Sequence, residues 1–378
     1  MSAVENAIRD SISLSAFPGA SYGFGSTDQI KVGAMGRFTY SEKSQTVTPS
    51  TLYDLASLTK VIATTSSLMI LHQKNQIDLR LKVADIIPEF GNNGKEKLTI
   101  LHLLYHCSGL VPFIEYEQFC TDKLEVLNEI YREPRSGAVG EYVYSDLNFI
   151  VLTEIVERLT STRFDCFCRD MIFQPLGMHS TRFCPSMDDK FLCAPTEIVF
   201  DWRLNWHKYR GDPLNSFSIL DDLRGDVRYV QGEVHDERAV LLNGVAGHAG
   251  VFSKANDIAL FSQEVLHSFF GHGAIFDEKT IRMFTDPNIL PEIDRQPSHR
   301  RLGWHGKPTE GTHSGGDYLS TMAFGHLGFT GTSLWIDPQL GFFHFLLSNR
   351  VHPTRDNDRI YDARLSFAQA AYQDSLLL

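Results

Sequence analysis

The chain has 378 residues, which is long enough for two domains with a full apolar core. Its 43% hydrophobic and 21% charged residues are ordinary for a globular protein and exclude a wholly disordered or fibrous chain. A net charge of −11, from 46 acidic and 35 basic residues, argues against a general nucleic-acid-binding protein, which needs a basic surface.

The sequence shows neither an export signal nor a membrane segment. Its first residues do not combine basic side chains with a long apolar run. No apolar stretch reaches the roughly 18–20 residues that a membrane span needs. Six cysteines without a CxxC pair favour free thiols in a reducing compartment. We therefore predict a cytoplasmic protein, while an unusual export route stays open.

Strand-like and helix-like patterns alternate along the first half of the chain. Residues 20–25 and 30–40 are short, partly apolar runs around a polar turn and predict an antiparallel hairpin. From residue 57 to 74 the apolar residues recur at helical spacing, which predicts a helix that is buried on most sides. The same periodicity predicts further helices at 98–105, 122–131, 147–159 and 164–172.

The second half begins with an irregular segment and ends in strands. Residues 184–238 are rich in Asp, Arg, Trp and Pro and predict a long loop region, which is often functional or mobile. After it we expect a helix at 255–269, then strands at 324–328, 332–336 and 342–347, then a last helix at 356–372. Strands at both ends and helices between them predict an α+β fold with one antiparallel sheet built from both termini.

The same arrangement predicts two domains. A sheet domain flanked by helices would comprise residues 1–70 and 236–378 and would therefore be discontinuous. A mainly helical domain would be inserted at residues 71–235, with the irregular segment at 184–235.

Ser57-Leu58-Thr59-Lys60 is the first candidate site for chemistry. Residues three apart share one face of a helix, so Ser57 and Lys60 can meet there. A lysine whose pKa is lowered by burial could take the proton of a serine hydroxyl, and the helix N-terminus would help to stabilise an oxyanion. A Ser-x-x-Lys sequence is also expected about once by chance in such a chain. The motif alone therefore leaves a structural role open.

Two further segments are ambiguous when each is taken alone. Tyr144-Ser145-Asp146 could supply a proton relay, or it could be a turn in which Ser-Asp caps the following helix. The segment from Gly325 to Thr332, which holds His326 and Gly328, could offer a backbone N–H to an oxyanion. It could equally be an ordinary strand that turns at a glycine beside a structural histidine.

Taken together, the three segments resemble the penicillin-recognising serine hydrolases. The resemblance is greater to the class C β-lactamase-like branch, with its carboxylesterases and D-amino-acid peptidases. That family carries Ser-x-x-Lys, then Tyr-x-Asn, then Lys/His/Trp-x-Gly. The resemblance extends over about residues 17–372 through Leu-Leu-Tyr-His-Cys-Ser-Gly-Leu at 103–110, Pro-Leu-Gly-Met at 175–178 and the glycine-rich segment 244–253. The fold it implies is the DD-peptidase/β-lactamase-like fold.

The resemblance also implies roles for individual residues. Ser57 would be the acylated nucleophile, Lys60 its general base or proton-sharing partner, and Tyr144 the relay to the leaving group. The backbone N–H groups of Ser57 and Phe329 would form the oxyanion hole. Asp146, His326 and Gly328 would contact substrate. Apart from the resemblance, His248 lies between glycines and could either line the substrate site or belong to a turn that enters a helix. No metal and no organic cofactor is implied.

Two residues depart from the family pattern. Asp146 stands where the family has Asn, so it cannot donate a hydrogen bond when ionised, and it could hold Lys60 charged. His326 and Leu327 stand where lactamases have Lys-Thr, so a substrate carboxylate would meet only a weaker, pH-dependent charge. We therefore expect weak or no β-lactamase activity.

We predict a serine hydrolase that forms an acyl-enzyme with small esters, amides or D-amino-acid-containing peptides. The alternative is a catalytically weak scaffold or ligand-binding protein of the same fold, which would either form filaments or bind penicillin. A penicillin-binding peptidase of the cell wall is a third interpretation. The absence of an export signal counts against it.

Overall fold

Strands from both ends of the chain form one antiparallel sheet. The computed structural model describes residues 2–199, 228–308 and 313–377. The sheet has six strands in the order β2-β1-β11-β10-β9-β8, and every neighbouring pair is antiparallel. The six are β1 (Gly19–Gly25), β2 (Ile30–Gly36), β8 (His305–Gly306), β9 (Phe324–Leu327), β10 (Ser333–Asp337) and β11 (Phe342–Ser348). The predicted sheet built from both termini is confirmed.

The predicted hairpin is present, but its second strand is shorter than the sequence pattern indicates. Strand β2 ends at Gly36 instead of residue 40. Gly36 has φ +92°, and a Cβ there would lie 2.4 Å from the Pro18 carbonyl oxygen. The chain therefore leaves the sheet at a residue that only glycine accommodates without strain.

Helices cover both faces of the sheet. The terminal helices α1 (Ala3–Ser13) and α11 (Ile360–Ser375) pack together over one face, and α9 (Ala255–Phe269) packs against β1 and β11. The Asp374 carboxylate of α11 accepts hydrogen bonds from the first N–H groups of α1, at 3.0 Å each. Helix α1 was not among the predicted elements, although its Ser2–Glu5 capping box is a helix-start signal.

Eight more α-helices lie among the described residues. They are α2 (Ser66–Gln73), α3 (Val83–Ile86), α4 (Ile100–Leu104), α5 (Lys123–Arg132), α6 (Asp146–Thr160), α7 (Phe164–Cys168), α8 (Glu237–Leu241) and α10 (Glu278–Thr285). The predicted helices at 98–105, 122–131 and 147–159 agree with α4, α5 and α6 to within two residues. The predicted helix at 164–172 becomes π-helical after α7, over Arg169–Phe173, and the last helix starts at Ile360 instead of residue 356.

The helix predicted at 57–74 is helical throughout but is not one α-helix. It starts as a 3₁₀ turn at Ala56–Leu58, continues as a π-helix over Lys60–Thr65 and becomes α-helical only in α2. All six residues of the π-helix are buried. Because every side is apolar or packed, the sequence pattern could not distinguish the three helix types. Such π-helical turns are frequent at functional sites.

Small sheets connect the remaining segments. Strand β7 (Val251–Ser253) pairs with β3 (Tyr53–Asp54) and β4 (Arg182–Phe183), and β5 (Ile198–Val199) pairs with β6 (Arg228–Tyr229). The segment predicted as irregular is mostly irregular where it is described, apart from β5, β6 and a 3₁₀ turn at Lys190–Leu192. Its residues 200–227 lie outside the described residues. The division into two domains stays a prediction.

Among the described residues, no helix has both the length and the apolar character that crossing a membrane requires.

Candidate active site

Ser57 lies in a tight turn immediately after the short strand β3. The preceding residue, Ala56, has φ +46°, which is unusual for a residue with a side chain. Its N–H donates to the Asp54 carboxylate at 2.8 Å, and the same carboxylate accepts from the N–H of His235 at 2.7 Å. Asp54 therefore fixes the turn that presents Ser57, through a local constraint of the kind that collects at active sites.

Lys60 lies directly behind the serine. Its Nζ is 2.9 Å from Ser57 Oγ, 2.7 Å from Asp146 Oδ1 and 3.1 Å from the carbonyl oxygen of His248. Lys60 has no exposed surface, and this burial by itself would lower its pKa. The Asp146 carboxylate and then Tyr144 outweigh burial and raise the pKa of Lys60. The amine is therefore an ammonium that donates to Ser57 Oγ, which is the state that Asp146 in the sequence left open beside the general-base role.

Asp146 begins a chain of alternating charges. Its Oδ2 lies 3.8 Å from the Arg238 guanidinium, which also pairs with Asp236. Asp236 Oδ1 is 2.8 Å from His248 Nε2. Burial alone would raise the pKa of Asp236, but His248 and Arg238 hold it well below its usual value. His248, a candidate for substrate contact in the sequence, is buried and closes this network from the far side.

The same three residues have the chemical types of metal ligands. Ligand-type atoms of Asp146, Asp236 and His248 lie within 4.8 Å of one another. However, both carboxylates are already bonded to the cations Lys60 and Arg238. Because these cations would repel a metal ion, the cluster has the chemistry of an ion-pair network.

Tyr144 covers the opposite side of Lys60. Lys60 Nζ is 5.0 Å from the centre of the Tyr144 ring, and the His106 ring stacks on that tyrosine at 4.6 Å. His106 Nδ1 accepts from the N–H of Ser145 at 3.0 Å. Ser145 is the N-cap residue of helix α6, but its hydroxyl donates to the Val111 carbonyl at 2.6 Å and makes no capping bond to that helix.

His326 is an uncharged histidine in the wall behind Tyr144. It is 1% exposed, and its Nδ1 lies 2.8 Å from the Leu327 carbonyl, so Nδ1 is the protonated nitrogen. Burial, followed by the charges of Lys60 and Arg300, puts the pKa of His326 well below the usual value. The expected weak, pH-dependent charge is therefore absent at neutral pH.

The Gly328–Phe329 peptide lies across from Ser57. The Gly328 carbonyl accepts from the Arg364 guanidinium at 2.7 Å. Because a trans peptide points its C=O and N–H in opposite directions, this bond directs the Phe329 N–H away from Arg364. A Cβ at Gly328 would lie 2.0 Å from Thr332 Oγ1 and 2.5 Å from the Leu55 carbonyl. Glycine therefore allows this strand to approach the segment that precedes the nucleophile.

A cavity of about 390 Å³ opens above Ser57. Its lining includes Ser57, Tyr144, Asp146, His248 and Phe329, so five of the predicted site residues share one space. Lys60 lies beneath this surface, and His326 lies behind Tyr144, at 6.0 Å between ring centres. The lining also contains residues that no sequence motif singled out: Phe113, Glu115, Glu117, Glu237, Arg238 and Arg355. Their positions in the sequence follow no motif, because only the fold brings them together.

Known proteins of similar sequence carry the name of a carboxypeptidase. A protein of Salmonella agona (strain SL483), provisionally named a D-alanyl-D-alanine carboxypeptidase, is 31% identical over 332 residues. The match covers 83% of this chain and 72% of that protein. A protein of the same name from Salmonella schwarzengrund (strain CVM19633) is also 31% identical, with the same coverage.

Solved structures of low sequence identity share the fold. A class C β-lactamase from Rhodobacter sphaeroides superposes with a TM-score of 0.70 at 16% identity, over 99% of each chain. EstCE1, a hydrolase with promiscuous acyltransferase activity, gives 0.72 at 17% identity, over 98% of this chain and 97% of that one. Simvastatin synthase (LovD) from Aspergillus terreus gives 0.71 at 18% identity, over the same shares.

The family model described as Beta-lactamase matches residues 4–369. This match takes in both termini of the sheet and every helix that carries a candidate site residue. Together with the relatives that are 31% identical, it shows that the chain belongs to the Beta-lactamase family, whose members include serine hydrolases.

Proposed function

We propose that this protein hydrolyses small neutral or cationic esters, amides or D-amino-acid-containing peptides through an acyl-enzyme on Ser57. The observation that carries the proposal is the 2.9 Å contact between Ser57 Oγ and the buried Nζ of Lys60, at the floor of an open cavity. A serine beside a buried ammonium and Tyr144, in a cavity that Phe329 also lines, offers a nucleophile, a charged donor, a proton carrier and a backbone N–H for acyl transfer.

The proposed reaction has two balanced steps. Ser57 Oγ bonds to the substrate carbonyl carbon and gives its proton to the deprotonated oxygen of Tyr144. The carbonyl electron pair moves onto the carbonyl oxygen, and the Ser57 and Phe329 N–H groups bind the resulting oxyanion. The bond to the leaving group then breaks, and that group receives the proton from Tyr144. Water repeats the sequence on the acyl-enzyme and releases the acid. Lys60 acts as a charged donor beside Ser57 Oγ, because Asp146 keeps it protonated.

The charges of the cavity support substrates without a carboxylate. Glu115 and Glu117 are exposed in its lining, whereas the cations Arg238 and Arg355 are paired with acidic side chains. The neutral His326 adds no positive charge. A substrate carboxylate would meet net negative potential there, and a neutral or amine-bearing substrate would not. The same charges argue against efficient β-lactam hydrolysis.

A D-alanyl-D-alanine carboxypeptidase activity is the second candidate. The 31% identity to proteins of that name favours it. Such substrates end in a carboxylate, so this candidate requires a cation that the cavity lining does not offer unpaired among the described residues. We further propose a cytoplasmic location, which is supported by six cysteines that are all free thiols.

The test compares three p-nitrophenyl esters of similar size: butyrate, 4-aminobutyrate and hemisuccinate. The proposal predicts kcat/KM values for the neutral and cationic esters that exceed the anionic one by about tenfold. Ser57→Ala should lose at least ~10³-fold in turnover, whereas Ser50→Ala, at an exposed serine nearby, should lose none. Preference for the anionic ester, together with release of D-alanine from a D-alanyl-D-alanine peptide, would favour the carboxypeptidase. Activity that survives in Ser57→Ala would overturn both candidates.

A further inference from the structure

Arg300 is a buried cation beside Tyr144 that the reaction described above does not use. It lies between α10 and β8 and is 7% exposed. Its guanidinium carbon is 5.4 Å from the centre of the Tyr144 ring and 4.6 Å from that of Tyr142. One terminal nitrogen donates to the Tyr142 hydroxyl. Nε and the other terminal nitrogen have no hydrogen-bond partner among the described residues.

A guanidinium in such surroundings is costly. Burial lowers the pKa of Arg300, while Tyr142 and Tyr144 act in the opposite direction. An arginine side chain nevertheless remains protonated in proteins near neutral pH. No carboxylate among the described residues pairs with it, so its charge is not cancelled locally. A buried positive charge that no acid cancels favours a negative charge on its neighbour Tyr144, which is the proposed proton carrier.

The other groups around Tyr144 leave Arg300 as the uncompensated charge. Lys60, from the π-helix, and Asp146, at the start of α6, form an ion pair and largely cancel. His106 follows α4, while His305 and His326 lie on β8 and β9. Burial is the largest cause that puts the pKa values of all three histidines well below the usual value, and the charge of Arg300 contributes to each. All three are therefore neutral in the working pH range.

We propose that Arg300 is a positioning residue for Tyr144: its positive charge stabilises the tyrosine oxygen when that oxygen lacks its proton. The proton lost from Tyr144 has gone to the leaving group, and the one it accepts comes from Ser57, so Arg300 itself neither gains nor loses one. This inference rests on the proposed function. Arg300 would supply beside Tyr144 the positive charge that the neutral His326 does not.

Arg300 acts through Tyr144 and not on the substrate. It is not among the residues that line the cavity above Ser57, whereas Tyr144 is. A carboxylate bound in the cavity would therefore meet Tyr144 before it met the guanidinium. The expected effect is on the rate and pH dependence of acylation, with little change in KM.

The test follows the pH dependence of kcat for p-nitrophenyl butyrate. Removing a positive charge beside Tyr144 disfavours its deprotonated form, so Arg300→Met should move the acid limb of the profile up by about one pH unit. At neutral pH, kcat should fall by about tenfold. Arg300→Lys keeps the charge and should restore most of both quantities.

Arg301→Met is the matched control. Arg301 is similarly buried, at 5% exposure, but its guanidinium donates to the Thr321 carbonyl at 2.9 Å, and the strongest charge acting on it is that of Asp286. This variant should leave the pH profile unmoved. If Arg300→Met does not fold, Tyr142→Phe removes the one hydrogen bond that the guanidinium makes among the described residues. The charge is then less firmly held beside Tyr144, so the limb should move in the same direction by a smaller amount.

A double-mutant comparison separates action through Tyr144 from a general loss of structure. In a Tyr144→Phe background, Arg300→Met should cause little further loss of kcat, because the group that it serves is gone. Losses that multiply independently, or an unmoved profile in folded Arg300→Met, would overturn the role of Arg300 alone. A wild-type protein that turns over none of these esters and acylates no serine would instead overturn the proposed function.

Discussion

Asp146 is the single residue that most changes the chemistry of this site. As a carboxylate 2.7 Å from Lys60 Nζ, it fixes the amine in its charged form. An asparagine at the same place would leave burial as the dominant influence on the lysine. Whether residue 146 has a carboxylate or an amide therefore decides the state of Lys60. Beside a carboxylate the lysine is charged and donates; beside an amide it can become neutral and accept a proton.

The first prediction concerns Asp146→Asn. The carboxylate raises the pKa of Lys60 against the lowering effect of burial, so its removal lowers that pKa. A neutral Lys60 can then take the Ser57 proton in place of Tyr144, so the acid limb of Ser57 acylation should move down by about one unit or more. The measurement is the rate of labelling by a fluorophosphonate across pH.

Asp165→Asn, which removes a surface ion pair with Arg163, is the control for this experiment and should leave the profile in place. An unmoved or upward-moving profile in Asp146→Asn would show that the carboxylate does not set the state of Lys60.

The turn between β9 and β10 carries the proposed oxyanion donor, the Phe329 N–H, and is bonded to the segment that precedes Ser57. The hydroxyls of Thr330 and Thr332 donate to the carbonyls of Asp54 and Leu55, at 2.7 and 2.9 Å. These bonds tie the turn to the segment just before Ser57. A change in either partner should therefore alter the site without touching a reacting atom.

The second prediction is that Gly328→Ala disrupts this contact. The added Cβ would overlap Thr332 Oγ1 and the Leu55 carbonyl, so the turn must move. We expect a loss of stability of about 1–3 kcal/mol and a fall in kcat of at least about tenfold. Gly137→Ala, where the nearest atom is at 3.4 Å, should be tolerated in both assays. Equal effects of the two substitutions would contradict the assigned role of Gly328.

The third prediction concerns Arg364 on α11. Its guanidinium holds the Gly328 and Thr332 carbonyls at 2.7 and 2.8 Å. Without it the Phe329 N–H loses its fixed direction, so Arg364→Met should lower kcat by about tenfold to a hundredfold with little change in KM. Arg359→Met, at the start of the same helix, is the control. A folded Arg364→Met protein with normal kcat would contradict this arrangement.

The sequence predicted elements well where an apolar run is short or the apolar residues follow a helical period. The C-terminal strands are such runs and lie within one residue of their predicted bounds, and α9 has the predicted bounds. The π-helix at Lys60–Thr65 was not predictable, because all of its positions are buried and no polar face marks the turn. The motif residues Ser57 and Lys60 could be found by spacing.

The arginines around the site could not be found in that way. Arg238, Arg300 and Arg364 come from three distant parts of the chain and reach the site only through tertiary packing. No local spacing relates them to the motif residues. These arginines become apparent only in the folded chain, when each buried cation is compared with the buried carboxylates that could pair with it.

Across the whole fold, Glu197 connects the segment before β5 to the C-terminal part of the chain. Its carboxylate is 2.6 Å from the Arg355 guanidinium and 3.0 Å from His235 Nε2. His235 in turn donates its N–H to Asp54, two residues before the turn of Ser57. Glu197 therefore connects the irregular segment to the turn that holds Ser57.

The fourth prediction is a loss of stability in acid that depends on Glu197. Burial alone would raise the pKa of Glu197, but His235 and Arg355 lower it to about 2. Because the folded value lies below the unfolded one, ionised Glu197 stabilises the fold above about pH 4.5, and this contribution disappears as the pH falls towards 2. Glu197→Gln should cost about 2–3 kcal/mol at neutral pH and much less near pH 2.

Unfolding by urea at several pH values measures this difference. Glu129→Gln, which removes an exposed pair with Arg132, should change stability by less than about 1 kcal/mol at any pH. A difference between the wild type and Glu197→Gln that does not depend on pH would contradict the ionic role of Glu197.

The decisive experiment for an activated Ser57 is to label the purified protein with a fluorophosphonate and to locate the adduct by peptide mass mapping, with Ser57→Ala alongside. We expect one adduct, on Ser57, that is absent from the variant and forms faster as the pH rises. No adduct between about pH 6 and 10, or an adduct on another serine, would contradict the proposed acyl-enzyme. The protein would then be better explained as a binding or scaffold member of the family.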